Sequence, residues 1–403
     1  MATDLGPSGG SLAGVKVVEF AQVIAGPFAG TLMADLGADV VHVESPGDGD
    51  TARMMGPAKD GHRLWWKVLG RNKRSVTLNL HDERGREVAG DLVRWADVVI
   101  VTFRDRTVKS FGLDWETVSG INPSAILLQI SGYGANTSKR DEPGFGKVGE
   151  ARSGIVHLTG FEDGPPVHTG FSHGDAITGL MGAFAVSAAL VKRAADPERR
   201  GEWIDLALFE TLYRMVEWQV VIHDQLKTIP QRSGNALAVA PAAVIGTYKS
   251  RDGHWVTVTS ATRRSVLNIV ALLGLPAEEL SSHDQLTARK DELDRGLAAW
   301  IAERDTEEAL RLLQKAEVVS SKVFDIADIF ADEIFAERED IVTVDDVDLG
   351  PLRMQGVIPH MRVNPGSVWR SGAALGQDNS LVYRDWLGLD QDAIACLTNE
   401  GVI

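Results

Sequence analysis

Cysteine is almost absent from this sequence, since Cys396 is the only one among 403 residues. A single thiol can form neither an intrachain disulfide nor a cysteine-based metal site. Proteins of a reducing compartment need no disulfides, so we expect this chain to act in the cytoplasm and without a bound metal.

Long apolar runs are missing too. The longest candidate, residues 180–191, is rich in Ala and Gly and falls short of the ~18 residues that a membrane-spanning helix needs. The first residues, MATDLGPSGGSLAG, are mostly small or acidic, whereas a secretory signal requires a basic region followed by an apolar one. We therefore expect a flexible N-terminal lead-in and no association with a membrane.

Positive charge is outweighed by negative charge. The 41 Lys and Arg residues face 56 Asp and Glu residues, which gives a formal net charge of -15. Such a chain repels nucleic acid and anionic membranes, so an anionic ligand must be bound by local basic groups. The rest of the composition, 44% apolar and 24% charged, is that of an ordinary globular protein whose length allows two domains.

Short β-branched runs alternate with helical patterns over the first half of the chain. The runs VKVVEF (15–20) and DVVHVE (39–44) flank FAGTLMADLG, whose apolar residues recur at helical spacing, and this predicts a βαβ unit. Alternating strands and helices indicate an α/β fold with a parallel sheet. Further strands are predicted at 75–80, 96–103, 125–131 and 203–208, and further helices at 83–95, 176–192 and 210–226.

The pattern changes near residue 244. The runs VIGTYKS and HWVTVTS flank Arg251, Asp252 and Gly253, which predicts an antiparallel hairpin, and amphipathic helices follow to about residue 315. The remainder is rich in turns and ends in a short helix. We expect three parts: a large α/β domain at 1–225, a smaller α+β domain at 226–332, and a C-terminal segment at 333–403 that returns to the large domain.

Several blocks carry a resemblance to a known family. In chain order they include GVKVVEFAQVIAGPFAGTLMADLGADVVHVESPGDGDTAR, GRNKRSVTLNL, ADVVIVTFRDR, SGIVHLTGFEDGPPVHTGFSHGDAITG and LGLDQDAIACLTNEGVI. Over nearly the whole chain they resemble the class III CoA-transferases, the CaiB/BaiF-like and formyl-CoA transferase-like proteins. The resemblance implies a Rossmann-like large domain, a smaller α+β domain and an interlocked dimer. It also implies an enzyme that moves CoA between an acyl-CoA thioester and a free carboxylic acid.

The resemblance places the catalytic carboxylate on Asp175, in the segment HGDAITG. An aspartate that begins a helix is more commonly an N-cap for the free amides of the first turn. The neighbouring Gly174 and Gly179 are expected to leave room for a bulky ligand beside a carboxylate that the helix N-terminus keeps ionised. Its attack on a thioester gives a mixed anhydride and CoA thiolate, and return of the thiolate gives an aspartyl-CoA thioester. No metal or redox cofactor is required, because coenzyme A is itself the substrate and carrier.

Basic residues that could bind the phosphates of CoA are clustered in the run Arg71, Asn72, Lys73 and Arg74. By itself this run is typical of a solvated turn before a strand, but with the resemblance it becomes the leading phosphate site. The resemblance also places CoA against two loops that follow strands, at Ile24, Ala25, Thr102, Phe103 and Arg104.

The second of these loops departs from the family pattern, because TFRDR at 102–106 replaces Asn-Phe-x-Pro-Gly. The amide side chain and both turn-forming residues are lost. Lys109 lies one position from a basic residue that the family uses near CoA, and Lys147 lies in a stretch that often contacts the pantetheine or acyl end. Backbone N–H groups for the oxyanions are expected from the Gly-rich loops at 132–134 and 144–149.

Other functions were weighed against CoA transfer. Acyl-CoA racemases of the same fold use the histidine of a Gly-His-Asp block to move a proton, and here Phe145 stands at that position. His173 could replace this base, although a histidine in a polar loop is more often simply hydrogen-bonded. A non-catalytic acyl-CoA-binding protein stays open. A nucleotide-dependent dehydrogenase is disfavoured, because the turn AQVIAGP lacks the GxGxxG pattern.

The expected partners are an acyl-CoA, a carboxylic acid, and a second identical or similar subunit. Small dicarboxylic, aromatic and branched-chain acids all stay open as acyl groups. Succinyl-CoA is a common donor among similar proteins.

Overall fold

The computed structural model describes residues 9–236, 240–276 and 282–403. Residues 1–8, where the flexible lead-in is expected, lie outside the described residues. The contacts divide the chain into two compact units. The large unit contains the described residues up to Ile155, Thr169–Val216 and Ile334–Ile403, and the small unit contains Val156–His168 and Glu217–Glu333. The domain boundaries expected from the sequence stay a prediction, because compact contacts do not show which parts fold independently.

Parallel strands and their crossover helices make up the first half of the chain. A 3-10 helix, Thr51–Met54, lies between the second and third strands. The other elements are β1 Lys16–Phe20, α1 Ala25–Asp35, β2 Asp39–Glu44, β3 Ala58–Lys59, β4 His62–Arg63, α2 Leu64–Leu69, β5 Lys73–Thr77, α3 Glu83–Trp95, β6 Val98–Val101, α4 Asp105–Ser110, α5 Trp115–Ile121, β7 Ile126–Ser131, α6 Gly146–Ser153, α7 Ile155–Leu158, α8 His173–Ala195, β8 Glu202–Ala207 and α9 Leu208–Met215.

Helices dominate the next part of the chain, and a hairpin lies near its end. These elements are α10 Trp218–Leu226, β9 Val244–Lys249, β10 Trp255–Ser260, α11 Arg263–Leu272, α12 His283–Ala288, α13 Lys290–Ala302, α14 Thr306–Lys315, β11 Ser320–Lys322, α15 Ile326–Ala331, α16 Glu333–Glu337, β12 Ile341–Asp346 and β13 Gly350–Gln355. A π-helical segment, Ser380–Trp386, and α17, Gln391–Asn399, complete the chain.

A six-stranded parallel sheet organises the large unit, with the strand order β5-β2-β1-β6-β7-β8. Val18 of β1 pairs with Val41 of β2 on one side and with Val99 of β6 on the other. The predicted βαβ unit and parallel sheet are therefore confirmed. The strand order reverses direction between β1 and β6, and open parallel sheets bind ligands at the carboxyl ends of the strands beside such a reversal.

Both faces of this sheet are covered, which explains the nearly continuous apolar sequence of its strands. Helices α1 and α8 pack on one face, where Met33 and Val186 are buried. Helices α3 and α5 pack on the other face, where Leu92 and Val118 are buried. The sheet thus has no solvent-exposed face, and its polar contacts with ligands must come from the loops at its edge.

Helix α8 is long and apolar enough to cross a membrane, judged by length and composition alone. A helix in the core of a soluble protein passes the same test, so one such helix is weak evidence for a membrane span. On its inner side, Gly179 approaches α1 and Gly182 approaches Leu128 of β7. We therefore describe α8 as the helix that covers the sheet.

The small unit contains a three-stranded antiparallel sheet, ordered β11-β10-β9, with helices α11 to α14. Strands β9 and β10 pair from Val244 opposite Ser260 to Lys249 opposite Trp255, and this confirms the predicted hairpin. Ile269 and Leu297, from two of the helices, are buried against this sheet in one apolar core.

The single helix predicted at 210–226 is wrong. The structure has α9 and α10 instead, because Val216 leaves the helical conformation with φ -103° and ψ 39°. Val216 is the last residue of this segment of the large unit, and Glu217 is the first of the small unit. The helix therefore ends where the chain passes from one core to the other.

The C-terminal residues Ile334–Ile403 cluster with the large unit by their contacts. Tyr383 is fully buried and donates a hydrogen bond to the Thr77 carbonyl at 2.7 Å. Asn79 donates its backbone N–H to the Val402 carbonyl at 2.7 Å. The β12–β13 hairpin in this segment was not predicted. Edge strand β5 is thus fixed by residues that follow it by some 300 positions.

Candidate active site

A cavity of about 600 Å³ lies at the carboxyl ends of the central strands of the large unit. Its walls come from the loops after β1, β6 and β7 and from the first turns of α6 and α8. This is the place where the strand order reverses, and loops from different strands meet there.

Asp175 lines this cavity from the first turn of α8, three residues after the N-cap residue Ser172, and its carboxylate accepts a hydrogen bond from its own backbone N–H. Its carboxylate lies directly against the α-carbon of Gly146, the first residue of α6, with no space for a side chain there. Burial raises the pKa of Asp175 to about 6; the negative charge of Glu150 acts in the same direction, and Lys147 opposes it. Near neutral pH this carboxylate is mostly ionised and poorly solvated, which favours nucleophilic attack.

Glu150 and Lys147 connect the two helices that form this part of the cavity. Lys147 Nζ lies 3.0 Å from both carboxylate oxygens of Glu150 and donates to the carbonyls of Thr169 and Phe171 at 3.0 and 2.8 Å. Glu150 is 1% exposed and accepts the N–H of Gly174 at 3.1 Å. This ion pair fixes the beginning of α8, and Asp175 with it, relative to α6.

Gly174 and Gly179 do not leave room for a ligand, contrary to the expectation from the sequence. A Cβ at residue 174 would lie 2.8 Å from the carbonyl oxygen of Gly146, and one at residue 179 would lie 2.7 Å from that of Ala25. Both spaces are filled by the backbone of α6 or α1. The two glycines serve close helix packing instead.

The two loops expected to contact CoA lie side by side on the cavity wall. Ile24, Ala25, Thr102, Phe103 and Arg104 all line it. Gln22 donates its N–H to the Thr102 hydroxyl at 3.0 Å, so the threonine that replaces the expected asparagine holds the two loops together. Phe103 packs edge-on against Phe111, at 5.5 Å between ring centroids.

Three arginines give this cavity a cationic wall in an acidic protein. Arg104, Arg106 and Arg140 line it, and only the first was predicted. Arg140 Nε lies 3.3 Å from Asp105, and the N–H of Arg106 donates to Asp141 at 2.9 Å, so the loop after β6 is tied to the loop after β7. Among the described residues, the guanidinium groups of Arg104 and Arg106 form no ion pair and are available to an anion.

The sequence matches one known protein family over most of its length. The model of the family described as CoA-transferase family III matches residues 12–379. This chain belongs to that family. The resemblance found in the sequence is confirmed, and so is the α/β fold that it implied for the single chain.

Individual relatives cover nearly the whole CoA-transferase chain. The succinyl-CoA–D-citramalate CoA-transferase of Chloroflexus aurantiacus is 34% identical over 395 residues, which cover 96% of this chain and 97% of the relative. The beta subunit of succinyl-CoA–L-malate CoA-transferase from the same organism is 35% identical over 399 residues, with 97% and 98% covered. The solved structure of a CaiB/BaiF family protein from Brucella suis has a TM-score of 0.80 at 29% identity, with 94% and 100% covered. The chain is thus a class III CoA-transferase, an enzyme that acts on an acyl-CoA and a carboxylic acid.

Three of the residues expected to bind CoA phosphates in this transferase lie elsewhere. Arg71 and Asn72 are buried and bind Asp35, with Nε and Nδ2 at 3.1 and 2.9 Å from its Oδ1. Lys73 is 2% exposed and binds Glu19 at 2.6 Å. Buried and paired side chains are not placed to meet a phosphate that enters from solvent. This basic run is therefore structural, which corrects the expectation that these side chains hold the phosphates.

Of the two predicted lysines, only Lys147 reaches the cavity. Lys109 lies on α4 with its Nζ 2.8 Å from Asp105, outside the cavity lining. Asp105 also pairs with Arg140, which lines the cavity. Lys109 is therefore connected to the cavity only through the carboxylate that it shares with Arg140.

The position that a racemase base would occupy is taken by Phe145, which lines the cavity and is 69% exposed. A benzyl side chain cannot exchange a proton. His173 packs against Phe171 at 5.4 Å between ring centroids, and its Nδ1 is buried without a hydrogen-bond partner in the described part of the chain. His173 does not line the cavity that Asp175 faces.

Gly132, Gly144 and Gly146 of the Gly-rich loops line the cavity. Gly132 and Gly144 pack back to back, so that a Cβ on residue 132 would lie 2.8 Å from the α-carbon of Gly144. The first turn of α6 leaves the N–H groups of Gly146 and Lys147 without intrahelical acceptors. Within residues 9–236, 240–276 and 282–403, no group of three or more His, Cys, Asp or Glu side chains could hold a metal ion.

Proposed function

We propose that Asp175 carries the acyl group and then CoA during transfer. The observation that supports this most directly is its carboxylate, which lines the strand-end cavity and has a pKa raised to about 6 because burial outweighs the hydrogen bond from its own N–H. In a carboxylate that served only as an N-cap, the first-turn amides would lower the pKa.

The proposed reaction proceeds through four acyl transfers. An Asp175 oxygen attacks the thioester carbonyl; the C–S bond breaks, and an aspartyl acyl anhydride and CoA thiolate form. The thiolate attacks the aspartyl carbonyl of the anhydride, which gives an aspartyl-CoA thioester and releases the donor acid. The acceptor carboxylate attacks this thioester to form a second anhydride, and the thiolate then attacks its acyl carbonyl. The new acyl-CoA leaves, and Asp175 is restored.

Succinyl-CoA is the proposed donor, and a small dicarboxylic acid is the proposed acceptor. The named relatives support this choice, since both take succinyl-CoA and a dicarboxylic acid according to their names.

The phosphates of CoA are proposed to bind Arg104, Arg106 and Arg140 rather than the buried basic run. Planar guanidinium groups form paired hydrogen bonds with phosphate oxygens. Ile24, Ala25, Thr102 and Phe103 would then contact the pantetheine arm in the same cavity.

The remaining features of the enzyme are also proposals. The reaction scheme uses no metal and no redox cofactor, and the single cysteine suits a cytoplasmic enzyme. A dimer of identical subunits is supported by Leu180, Phe184 and Val191, which lie on one side of α8 and are 53%, 69% and 72% exposed. A similar but different subunit is the alternative, and the mass of the protein expressed alone, measured by light scattering, distinguishes the two.

Trapping of the acyl-enzyme tests the central proposal. The purified enzyme is incubated with succinyl-CoA and other acyl-CoAs, treated with hydroxylamine, and digested for mass spectrometry. A hydroxamate on Asp175 is the expected product, and it is absent from an Asp175→Asn variant. An unmodified Asp175 with every donor, together with deuterium exchange at the acyl α-carbon, would instead indicate the racemase. Binding of CoA with neither reaction would indicate the non-catalytic protein.

A further inference from the structure

Val23, on the cavity wall, has a backbone conformation that β-branched residues rarely adopt, with φ 69°. Its N–H lies 3.0 and 3.1 Å from the two carboxylate oxygens of Asp50. Asp50 is 1% exposed and also accepts the N–H of Ala52 at 2.8 Å. One buried carboxylate thus holds two segments of the wall, residues 22–25 and 51–55.

Asp50 is itself held by a chain of buried charges. His42 lies between two carboxylates, with Nε2 3.3 Å from Asp50 and Nδ1 2.6 Å from Glu19. The contact with Glu19 is a hydrogen bond, whereas the contact of Nε2 with Asp50 is electrostatic and lacks the geometry of a hydrogen bond. Carboxylates on both sides of the ring favour the protonated form of His42. Lys73 Nζ lies 2.6 Å from the same Glu19 oxygen. The chain therefore runs from Lys73 through Glu19, His42 and Asp50 to the N–H of Val23.

The fold provides space for this chain beneath α1. Glu19, His42 and Lys73 are 0%, 1% and 2% exposed. At Gly30 of α1, any Cβ would collide with the Glu19 carboxylate. Buried ion pairs are often no more stabilising than apolar residues of the same volume, because desolvation offsets their attraction. A contribution to folding stability alone therefore does not explain why these charges are buried together. Their connection to the Val23 N–H in the cavity wall does explain it.

We propose that His42 and Asp50 are positioning residues for CoA transfer. They hold Val23 in its left-handed conformation and so keep the 22–25 wall in the shape that receives the thioester. Neither residue touches the reacting atoms. This inference rests on the proposed function, because a wall position matters to the reaction only if the cavity binds acyl-CoA.

Hydrogen exchange of the backbone tests the first half of the inference without any enzyme assay. In the wild type, the Val23 amide is expected to exchange at least about 10-fold more slowly than that of Ile24, because a hydrogen-bonded amide is protected. In Asp50→Asn, the protection of Val23 is expected to decrease, because one uncharged amide oxygen replaces the two carboxylate oxygens that its N–H contacts. Equal exchange of the two amides in the wild type would overturn the inference, and this result needs no variant to fold.

Kinetics with a rescue variant test the second half. Asp50→Asn and His42→Gln are each expected to lower kcat/KM for acyl-CoA by about 10- to 100-fold, as a displaced binding wall does. Adding Val23→Gly to Asp50→Asn is expected to restore about fivefold or more, because glycine adopts a positive φ without a steric cost. A purely structural role of Asp50 would not be rescued by a change of backbone preference at residue 23.

Asp97→Asn is the matched control. Asp97 binds Arg193 at 2.7 Å at the opposite end of β6, far along the strand from the cavity loops. This variant also loses an ion pair, but kcat/KM is expected to stay within about twofold of wild type, since no cavity loop moves. The inference fails if Asp50→Asn behaves like Asp97→Asn, or if Val23→Gly restores nothing. If the wild type transfers no CoA from any donor, the proposed function fails, and the exchange of the Val23 amide still decides whether Asp50 holds the wall.

Discussion

The carboxylate of Asp175 rests on the bare α-carbon of Gly146, so the first residue of α6 determines where the carboxylate of α8 can lie. Two helices that are not adjacent in sequence thus share one steric requirement. This requirement is met because residue 146 is a glycine and has no side chain.

Gly146→Ala is expected to lower kcat by about 100-fold, because the added methyl group displaces the Asp175 carboxylate from its attack position. Steady-state kinetics with succinyl-CoA measure this loss. The control is Gly120→Ala in α5, where a Cβ meets no atom within 4 Å. Alanine favours a helix over glycine, so the control is expected to be active and at least as stable as the wild type. Equal activity of the two variants would show that the carboxylate does not need this position.

The rate is expected to fall as the pH drops through about 6, because protonated Asp175 is no nucleophile. Glu150→Gln removes a negative charge that raises this pKa and leaves the opposing charge of Lys147, so the acid limb of kcat/KM should move to lower pH. Glu142→Gln is the control, since Glu142 also lines the cavity but pairs with Lys139. A shift of the acid limb in Glu142→Gln but not in Glu150→Gln would contradict the effect assigned to Glu150 on the pKa of Asp175.

The stability of the enzyme is expected to decrease between pH 6.5 and pH 9 through His42. Burial alone lowers the pKa of His42, but the charge of Glu19, the contact with Asp50, the hydrogen bond to Glu19 and the charge of Glu44 outweigh it and raise the pKa to about 9. A group whose pKa is higher in the folded state contributes its full stabilisation at pH values below its unfolded-state pKa. This stabilisation is lost as the pH rises through its folded-state pKa. The lost contribution is on the order of 3 kcal/mol.

Urea unfolding as a function of pH measures this loss. The His42→Gln variant is expected to show a flatter dependence of the unfolding midpoint than the wild type, because the titrating group is gone. His81→Gln, at an exposed histidine, is expected to keep the wild-type slope. The same slope in all three proteins would exclude His42 as the source.

Arg104→Ala and Arg106→Ala are each expected to raise the KM for succinyl-CoA by about 10-fold, the value of one charge-assisted hydrogen bond. The same variants should leave the KM for succinyl-pantetheine unchanged, because that substrate has no phosphate groups. Arg94→Ala, at an exposed arginine of α3, should change neither value. Equal losses with both substrates would place the two arginines near the acyl group instead.

The sheet was predictable because its strands carry local signals. Runs such as VVIV are buried on both faces, and the hairpin between β9 and β10 is marked by Asp252 and Gly253 at its turn. The single helix predicted at 210–226 was wrong because its sequence stays helical in pattern across Val216. The chain passes from one core to the other at this point. That change depends on contacts with residues distant in sequence, which the local sequence pattern does not show.

The site was predictable only in part, for a related reason. Asp175 and the loops at 24–25 and 102–104 follow from the resemblance and from the rule that ligands bind at strand ends. The basic run at 71–73 looked available, but its partners Asp35 and Glu19 lie 36 and 54 residues away from Arg71 and Lys73. Arg106 was missed, although its signal was visible in the segment TFRDR, where it replaces the glycine of the family loop.

The position of the C-terminal segment determines the order in which this enzyme can be completed during synthesis. Every cavity residue precedes residue 217, so the ribosome delivers the whole site before it makes Glu217–Glu333, the larger part of the small unit. Yet Tyr383 and Val402 belong to the core beneath β5, and the edge of the sheet that carries Lys73 stays unsealed until they emerge. At roughly 5–20 residues per second, the nascent sheet waits on the order of ten seconds or more for its last layer. During that interval its uncovered apolar face is a substrate for chaperones.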